Sequence, residues 1–373
     1  MYRLGVIGIG HWFKRLHTGV QRVGGIEVAK GLGTRPYEKK AALMKELGIT
    51  KEMYYTTDPK TGSIPEQFFE GIDVVQIADP NRFHLRQTVD SLERGKKAVV
   101  EKSFAVNKEE FDEFVGYINA NGKKNDVYLH LHYMHKMPTQ ELVAQRDGML
   151  VRFGKVKEVN ATFFEPANDD DKNRTWLFSP ENGGLFMDWI HPMEVVFHAF
   201  DCMFGNMDDV KTYAVNPAYD RKNPTGVHTS VGLYGKDFIE GAKLNMWIAK
   251  GVDQKSSRKS MRFVFESGNY LMLDYVGSEH EFTSARRGGV ELGRMDGQAY
   301  VPETTKMLVG ETSSDIYIRE IVNLCEGRNP GFTIGQITEL FKPQWDYQSK
   351  ASDLVPRSNK DEVKKFISAG LDA

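Results

Sequence analysis

The sequence predicts an α/β protein with two domains: an N-terminal doubly wound parallel sheet, then an α/β domain with a large, mainly antiparallel open sheet. The chain has 373 residues, more than one ordinary hydrophobic core accommodates. Up to about residue 125, short apolar runs alternate with helical patterns, which is typical of right-handed βαβ units. After about residue 150, strand-like segments follow one another with few helices, and several alternate apolar with polar residues.

Six apolar runs predict the strands of the first domain, residues 1–128. They are Leu4–Ile7, Ile26–Leu32, Met53–Thr56, Val74–Ala78, Ala98–Val100 and Val127–Leu131. Helical patterns cover Glu38–Leu47 and Leu85–Arg94. Gly95 ends the second of them at the usual C-terminal cap position.

The second domain, residues 129–373, is predicted from a further set of strand-like segments. They are Val156–Phe164, Val210–Tyr213, Thr229–Leu233, Ala242–Ile248, Met261–Glu266 and Tyr270–Asp274. Apolar residues at helical spacing predict one helix over Gly184–Phe200. Beyond Ile316 the pattern is helical again, and we expect the C-terminal helices from about residue 330 to pack back on the first domain.

The composition indicates a globular protein that acts on a small molecule. Hydrophobic residues make up 40% of the chain and charged residues 27%, and the formal net charge is −2 without a basic block, which argues against nucleic acid as a partner. Cys202 and Cys325 lie far apart, which fits a reducing compartment. No signal peptide and no apolar run of about 18 residues is visible, so we expect a cytoplasmic protein that does not bind membranes.

A Gly-x-Gly turn follows the first predicted strand and opens a helix. This arrangement lets the backbone approach a pyrophosphate at a helix N-terminus, so we expect dinucleotide binding by Gly8, Gly10, His11, Trp12 and Phe13. Phe13 stands where a third small residue usually allows close packing of helix on sheet. A tight turn without a ligand is the alternative.

The end of the second strand favours NADP(H) over NAD(H), although NAD(H) stays possible. NAD-binding sheets usually place a carboxylate there for the ribose hydroxyls, whereas this chain has Thr34 and Arg35. A guanidinium binds a 2′-phosphate through two hydrogen bonds. The alternative is an arginine that faces solvent in the turn before Pro36.

Two further strand ends carry polar residues. The fourth strand leads into Asp79, Pro80, Asn81 and His84, which either contact the cofactor or only shape the turn. The fifth leads from a valine run into the Glu101–Lys102 pair. Ligands of open α/β sheets bind at such carboxyl ends, so we expect Glu101 and Lys102 at the cofactor and Lys102 also at the substrate, with a surface salt bridge as the alternative.

Together these motifs resemble the Gfo/Idh/MocA family of nicotinamide-dependent oxidoreductases. The segment Gly183–Pro192, a glycine pair followed by Asp188 and His191, resembles the motif of that family's second domain. The resemblance implies a Rossmann domain, then an α/β domain whose large open sheet often mediates oligomers, hence a homodimer or homotetramer. It implies that Lys102, Asp188 and His191 are catalytic and contact the substrate.

This chain departs from the family pattern at two positions. Ser103 replaces the usual proline after Lys102, which removes a fixed φ angle from that turn. Asp188 and His191 are three residues apart, where the family more often has four. Both spacings place the two side chains on the same face of a helix, so the pair can still converge.

Proton chemistry distinguishes the roles of these residues. An ordinary lysine is neutral in only about one molecule in 2,500 near pH 7, whereas a histidine is largely neutral. We therefore expect His191 to accept the hydroxyl proton, Lys102 to polarise the substrate oxygen, and Asp188 to orient the imidazole.

Further substrate contacts are expected from His132, Tyr133, Arg174 and Trp176, where Trp176 either stacks on a sugar ring or packs in the core. No metal site is predicted, because neither a carboxylate nor a cysteine joins the histidines near His132. The sequence thus predicts an NADP(H)-dependent oxidoreductase acting on a carbinol or carbonyl of a sugar, polyol or similar compound, between the two domains. The alternatives are a reductase of an imine, enone or tetrapyrrole, and a regulatory protein that binds NADP without turnover.

Overall fold

A computed structural model describes most of the chain, and its residues fall into two compact units. The described part of the first unit runs from Met1 to His130 and resumes over Glu311–Glu339, and the second unit holds the other described residues. The described residues are 1–102, 104–130, 136–166, 195–196, 198–199, 202–203, 211–220, 229–237, 242–275, 286–297, 299–328, 334–335, 337–338, 341–342, 345, 357–358 and 360–372.

The first unit contains the predicted doubly wound parallel sheet. Its strands are β1 (Tyr2–Ile7), β2 (Ile26–Gly33), β3 (Tyr54–Thr56), β4 (Val74–Ile77), β5 (Lys97–Val100) and β6 (Val127–Leu129). Their order is β3-β2-β1-β4-β5-β6, and each neighbouring pair is parallel. The strand order reverses between β1 and β4, which is where sheets of this kind bind ligands. The central strands are buried on both faces, which explains their continuous apolar runs.

The α-helices of the described residues include α1 (His11–Val23), α2 (Ala41–Glu46), α3 (His84–Glu93), α4 (Lys108–Ala120), α5 (Lys136–Phe153), α6 (Ser313–Cys325) and α7 (Lys360–Asp372). The helix predicted over Glu38–Leu47 is interrupted. A 3-10 turn covers Tyr37–Lys39, and α2 begins only after Lys40, whose φ of −124° is not helical.

Helix α6 belongs to the first unit and packs on α1. A Cβ atom at Gly19 would lie 2.4 Å from the Ser314 carbonyl oxygen, so the helices approach more closely than a side chain there would allow. Arg22 Nε donates to Asp315 Oδ1 over 2.8 Å, and Arg22 also donates to Thr312 and Ser314. The chain thus returns to the first unit with this helix, which begins earlier than the predicted position of about residue 330.

The second unit contains a large mixed sheet, which is mostly antiparallel as predicted. Its strands are β7 (Val156–Pro166), β8 (Lys211–Asp220), β9 (Thr229–Asp237), β10 (Lys243–Val252), β11 (Arg258–Phe265), β12 (Asn269–Asp274), β13 (Arg286–Asp296), β14 (Ala299–Val309) and β15 (Arg357–Ser358). The order is β14-β13-β12-β11-β7-β10-β9-β8-β15, in which β7–β10 and β8–β15 are parallel pairs. The prediction omitted β13 and β14.

Helix α7 packs on the second sheet, although the sequence predicted that the C-terminal helices return to the first domain. Phe366, Ile367 and Leu371 of α7 contact an apolar patch that includes Phe164 and Trp247. Arg258 Nη1 donates to the Leu371 carbonyl oxygen over 2.8 Å, and Thr162 Oγ1 donates to that of Gly370 over 2.7 Å. The last carbonyl groups of a helix have no hydrogen-bond partner within the helix, and here side chains of the sheet donate to them.

Candidate functional site

Three loops meet at the carboxyl edge of the first sheet. Because β1, β4 and β5 are neighbours, the segments that follow them lie side by side. These segments are the glycine loop, the turn from Asp79 to His84, and the Glu101–Lys102 pair. The fold thus brings together three of the sequence motifs that predicted a cofactor site.

The glycine loop fits a dinucleotide pyrophosphate. Gly8 has a φ of +79°, and a Cβ atom there would lie 2.4 Å from the Ala78 carbonyl group, so only glycine suits this crossing of two loops. Gly10 is the N-cap of α1, supplies no capping side chain, and no acidic residue occupies the first turn. Among the described residues, the Gly8 carbonyl oxygen at 3.7 Å is the only atom that a Cβ atom at Gly10 would approach within 4 Å. The first-turn N–H groups therefore suit an anion.

The turn after β4 is a buried support for this loop. Asp79, Asn81 and His84 are all less than 9% exposed. Gln87 Nε2 donates to Asp79 Oδ2 over 2.8 Å, and His84 Nε2 lies 2.6 Å from the Asp79 carbonyl oxygen. Burial raises the pKa of Asp79, against the opposing effects of the Gln87 hydrogen bond and Lys40. His84 and Gln87 thus hold the turn, while Pro80 is partly exposed at its surface.

The end of β2 presents two cationic side chains. Thr34 and Arg35 are exposed, and the Tyr54 hydroxyl donates to the Arg35 carbonyl oxygen over 2.6 Å. Lys40 Nζ donates to the Ile9 carbonyl oxygen of the glycine loop over 2.6 Å. Burial lowers the pKa of Lys40, which Asp79 partly opposes. Sequence reasoning missed Lys40, because no local pattern shows that this lysine reaches back to the glycine loop.

The Glu101–Lys102 pair follows β5 as predicted. Glu101 is buried and Lys102 is partly exposed. The Trp12 indole Nε1 donates to Glu101 Oε1 over 2.8 Å. Burial raises the pKa of Glu101 to about 7, although the hydrogen bond from Trp12, the nearby Tyr317 hydroxyl and the charge of Lys102 favour the carboxylate. Trp12 is thus engaged with a protein carboxylate.

The other predicted residues divide into two groups. Phe13 is 1% exposed, so its side chain belongs to the core and any cofactor contact there falls to its backbone. His11 lies in the first turn of α1, and its side chain is outside the description. The remaining predicted positions lie outside the described residues: Ser103, His132, Tyr133, Arg174, Trp176, Asp188 and His191.

Comparison with known families agrees with this geometry. A model of the oxidoreductase family Gfo/Idh/MocA, whose description is an NAD-binding Rossmann fold, matches residues 2–129. The N-terminal domain belongs to the Gfo/Idh/MocA family. The predictions of this family and of an NAD(P)-dependent oxidoreductase are thereby confirmed.

Solved structures of similar fold cover nearly the whole chain. An aldose-aldose oxidoreductase from Caulobacter crescentus is 16% identical, with a TM-score of 0.68 and coverage of 94% of this chain and 98% of that one. A 3-ketoreductase from Actinomadura kijaniata, crystallised with NADP and TDP-benzene, is 15% identical, with a TM-score of 0.69 and coverage of 96% and 99%. A myo-inositol 2-dehydrogenase from Lactobacillus plantarum is 16% identical, with a TM-score of 0.66 and coverage of 94% and 97%. At these identities the likeness concerns the fold.

Within the parts of the chain that the structure describes, no helix combines the length and apolar character that crossing a bilayer requires.

Proposed function

We propose that this protein is an NADP(H)-dependent oxidoreductase that transfers a hydride between the nicotinamide and a carbinol or carbonyl of a sugar, polyol or related polyhydroxylated compound. The observation that carries the proposal is the uncapped glycine-loop helix beside the Glu101–Lys102 pair, where the strand order reverses. One edge of the sheet thus offers both a pyrophosphate cradle and an ammonium group.

The bound nicotinamide would supply hydride acceptance and donation at one ring carbon. The protein then has to manage the proton and the charge on the substrate oxygen. Lys102 stabilises negative charge that develops on this oxygen, because an ammonium group binds the alkoxide more strongly than the neutral alcohol. His191 accepts the hydroxyl proton, and Asp188 orients its imidazole.

The substrate class rests on chemistry shared by similar structures. The three similar proteins are an aldose-aldose oxidoreductase, a 3-ketoreductase and a myo-inositol 2-dehydrogenase. A carbinol or carbonyl that exchanges a hydride is common to such compounds. We extend this class to the present chain as a proposal, with His132, Tyr133, Arg174 and Trp176 as further substrate contacts.

Turnover with a panel of sugars, polyols and keto-sugars tests the reaction. Lys102→Met should lower kcat by about 100-fold or more, because its charge is used in the transition state, and His191→Ala by a similar factor. NADPH binding, measured by fluorescence titration, should change much less in His191→Ala. Tight NADPH binding without turnover on any panel member, together with no effect of His191→Ala on any activity, would instead favour a regulatory protein.

The preference for NADP(H) rests on Arg35 and Lys40. Arg35 is exposed at the end of β2, and Lys40 adds a second cation beside it, so a 2′-phosphate would meet positive charge. Arg35→Ala should raise the Kd for NADPH about tenfold and leave that for NADH almost unchanged, because a charge-assisted hydrogen bond contributes about 1.5–3 kcal/mol. Arg328→Ala, which removes an exposed arginine beyond α6, is the control. Equal effects on both cofactors would refute the assignment.

A further inference from the structure

The Glu101 side chain connects two loops of the site. Glu101 is 6% exposed, and its backbone N–H donates to the Ile77 carbonyl oxygen over 2.9 Å, which fixes the end of β5 against β4. Its carboxylate accepts the Trp12 Nε1 hydrogen bond over 2.8 Å. Trp12 lies in the first turn of α1, two residues after Gly10, and Lys102 directly follows Glu101. The Glu101 carboxylate therefore connects the first turn of α1 with the strand end that carries Lys102.

A third element reaches the same carboxylate from a distant part of the chain. Tyr317 of α6 is 1% exposed, and its hydroxyl lies near Glu101 and the Gln76 amide of β4 without a hydrogen bond of good geometry to either. The centre of its ring lies 4.2 Å from that of His130, which follows β6. The close packing of α6 on α1 fixes where this tyrosine stands.

The Glu101 carboxylate is costly to bury. Its pKa of about 7 means that burial opposes the charged form more strongly than the Trp12 indole, the nearby Tyr317 hydroxyl and Lys102 favour it. A neutral side chain of similar size would not carry this cost. A buried residue that lowers the stability of the fold at the edge of a candidate site is expected to serve the function of that site.

We propose that Glu101 is a positioning residue that acts through Trp12 on the first turn of α1 and thereby aligns the cofactor loop with Lys102. Glu101 itself then makes no contact with the cofactor. The buried Tyr317 ring, which packs on His130, borders the carboxylate from α6. This inference rests on the proposed function, since it requires that the loop binds a nicotinamide dinucleotide.

A double-mutant cycle on NADPH binding tests the coupling. The variants are Trp12→Phe, Glu101→Ala and the two combined, with Kd measured by fluorescence titration and folding checked by circular dichroism. If Glu101 acts through Trp12, each single change raises Kd by about tenfold. The Kd of the double variant then exceeds that of the weaker-binding single variant by at most about threefold. Independent contributions would instead multiply to about 100-fold, and this result would overturn the proposal.

Glu101→Gln separates positioning from packing and guards against a misfolded alanine variant. The amide oxygen still accepts the indole hydrogen bond, but without the negative charge that strengthens it. The ionisable groups around the carboxylate are Lys102 beside it, Tyr317 from α6 and, across the tyrosine ring, His130; α1 contributes the neutral indole of Trp12.

The ratio of the NADPH Kd values of Glu101→Gln and wild type should be near one at pH 6, where both side chains are largely neutral. It should rise to about threefold or more at pH 8, where only wild type carries a charge. Tyr317→Phe should raise Kd by a smaller factor than Trp12→Phe. Glu113→Gln at an exposed position of α4 and Tyr117→Phe at a partly exposed one are the matched controls and should leave Kd unchanged.

The two possible failures are distinguishable. A ratio that does not change with pH, combined with independent effects in the cycle, would refute the positioning role while NADPH binding by wild type leaves the proposed function intact. A wild-type chain that binds neither NADPH nor NADH would refute the proposed function itself.

Discussion

At the scale of single residues, the structure shows which side chains at the strand ends bond within the protein. Asp79 and His84 were predicted either to contact a cofactor or to shape the turn, and both are buried in hydrogen bonds of the turn after β4. Lys40 was not predicted, and its ammonium group donates to the glycine loop. Residue type and position at a strand end could be read from the sequence. The direction of each side chain could not, because it depends on neighbouring loops that are remote in the chain.

The raised pKa of Glu101 predicts how stability depends on pH. Folding raises this pKa from about 4.5 to about 7, so between these values the folded chain binds more protons than the unfolded chain. The contribution of Glu101 to stability is therefore present below about pH 4.5 and is lost as the pH rises through 7. Glu101→Gln should be more stable than wild type at pH 8, by up to about 3 kcal/mol, with little difference at pH 5.

Denaturant unfolding of both chains at pH 5 and pH 8 measures this difference. Glu113→Gln, at an exposed position of α4, is the control for loss of a carboxylate. Parallel stability curves for wild type and Glu101→Gln across this range would show that Glu101 does not titrate near neutrality.

At the scale of elements, the strands of the parallel sheet were predictable and parts of the second unit were not. Strands β4, β5 and β6 and most of β1 are buried on both faces, so each is a short apolar run that the sequence pattern indicates. Strands β13 and β14 were missed because β13 contains several glycines and most of β14 is exposed. They pair with each other along their length, and this pairing, rather than local propensity, defines them.

Helix contacts lead to a prediction about glycine. Gly19→Ala should destabilise the protein by about 1–3 kcal/mol, because its new methyl group would collide with the Ser314 carbonyl of α6 and force the helices apart. Gly116→Ala is the matched control, since this glycine lies inside α4 with open space around it, and it should stabilise by about 0.5–1 kcal/mol. Thermal unfolding compares the two, and equal shifts would contradict the close approach of α1 and α6.

At the scale of the whole molecule, the second sheet is the expected site of self-association. We propose a homodimer or homotetramer formed through this sheet, as the family resemblance implies. Helix α7 already covers the part of one face around Phe164 and Trp247. An interface on that face must therefore use the remaining strands or displace this helix.

Removal of α7 tests its contribution to the sheet. A chain that ends at Ser358 would expose the apolar patch of Phe164, Ala249 and Val252, so we expect a lower unfolding temperature and increased binding of an apolar dye. Leu371→Ala is the milder comparison. Light scattering of the full chain and the shortened chain measures whether the oligomeric state changes. An unchanged unfolding temperature would show that α7 does not stabilise the sheet.

The sequence by itself determined the parallel sheet, its glycine loop and the strand end that carries Lys102. It could do so because these features depend on local patterns: apolar runs for strands buried on both faces, and glycine where backbones cross. Only the tertiary structure decided that Tyr317 lies near Glu101, that Lys40 donates to Ile9 and that α7 covers part of the second sheet. Such contacts join segments that are distant in the chain, and side-chain packing between elements, rather than the pattern within any one of them, brings them together.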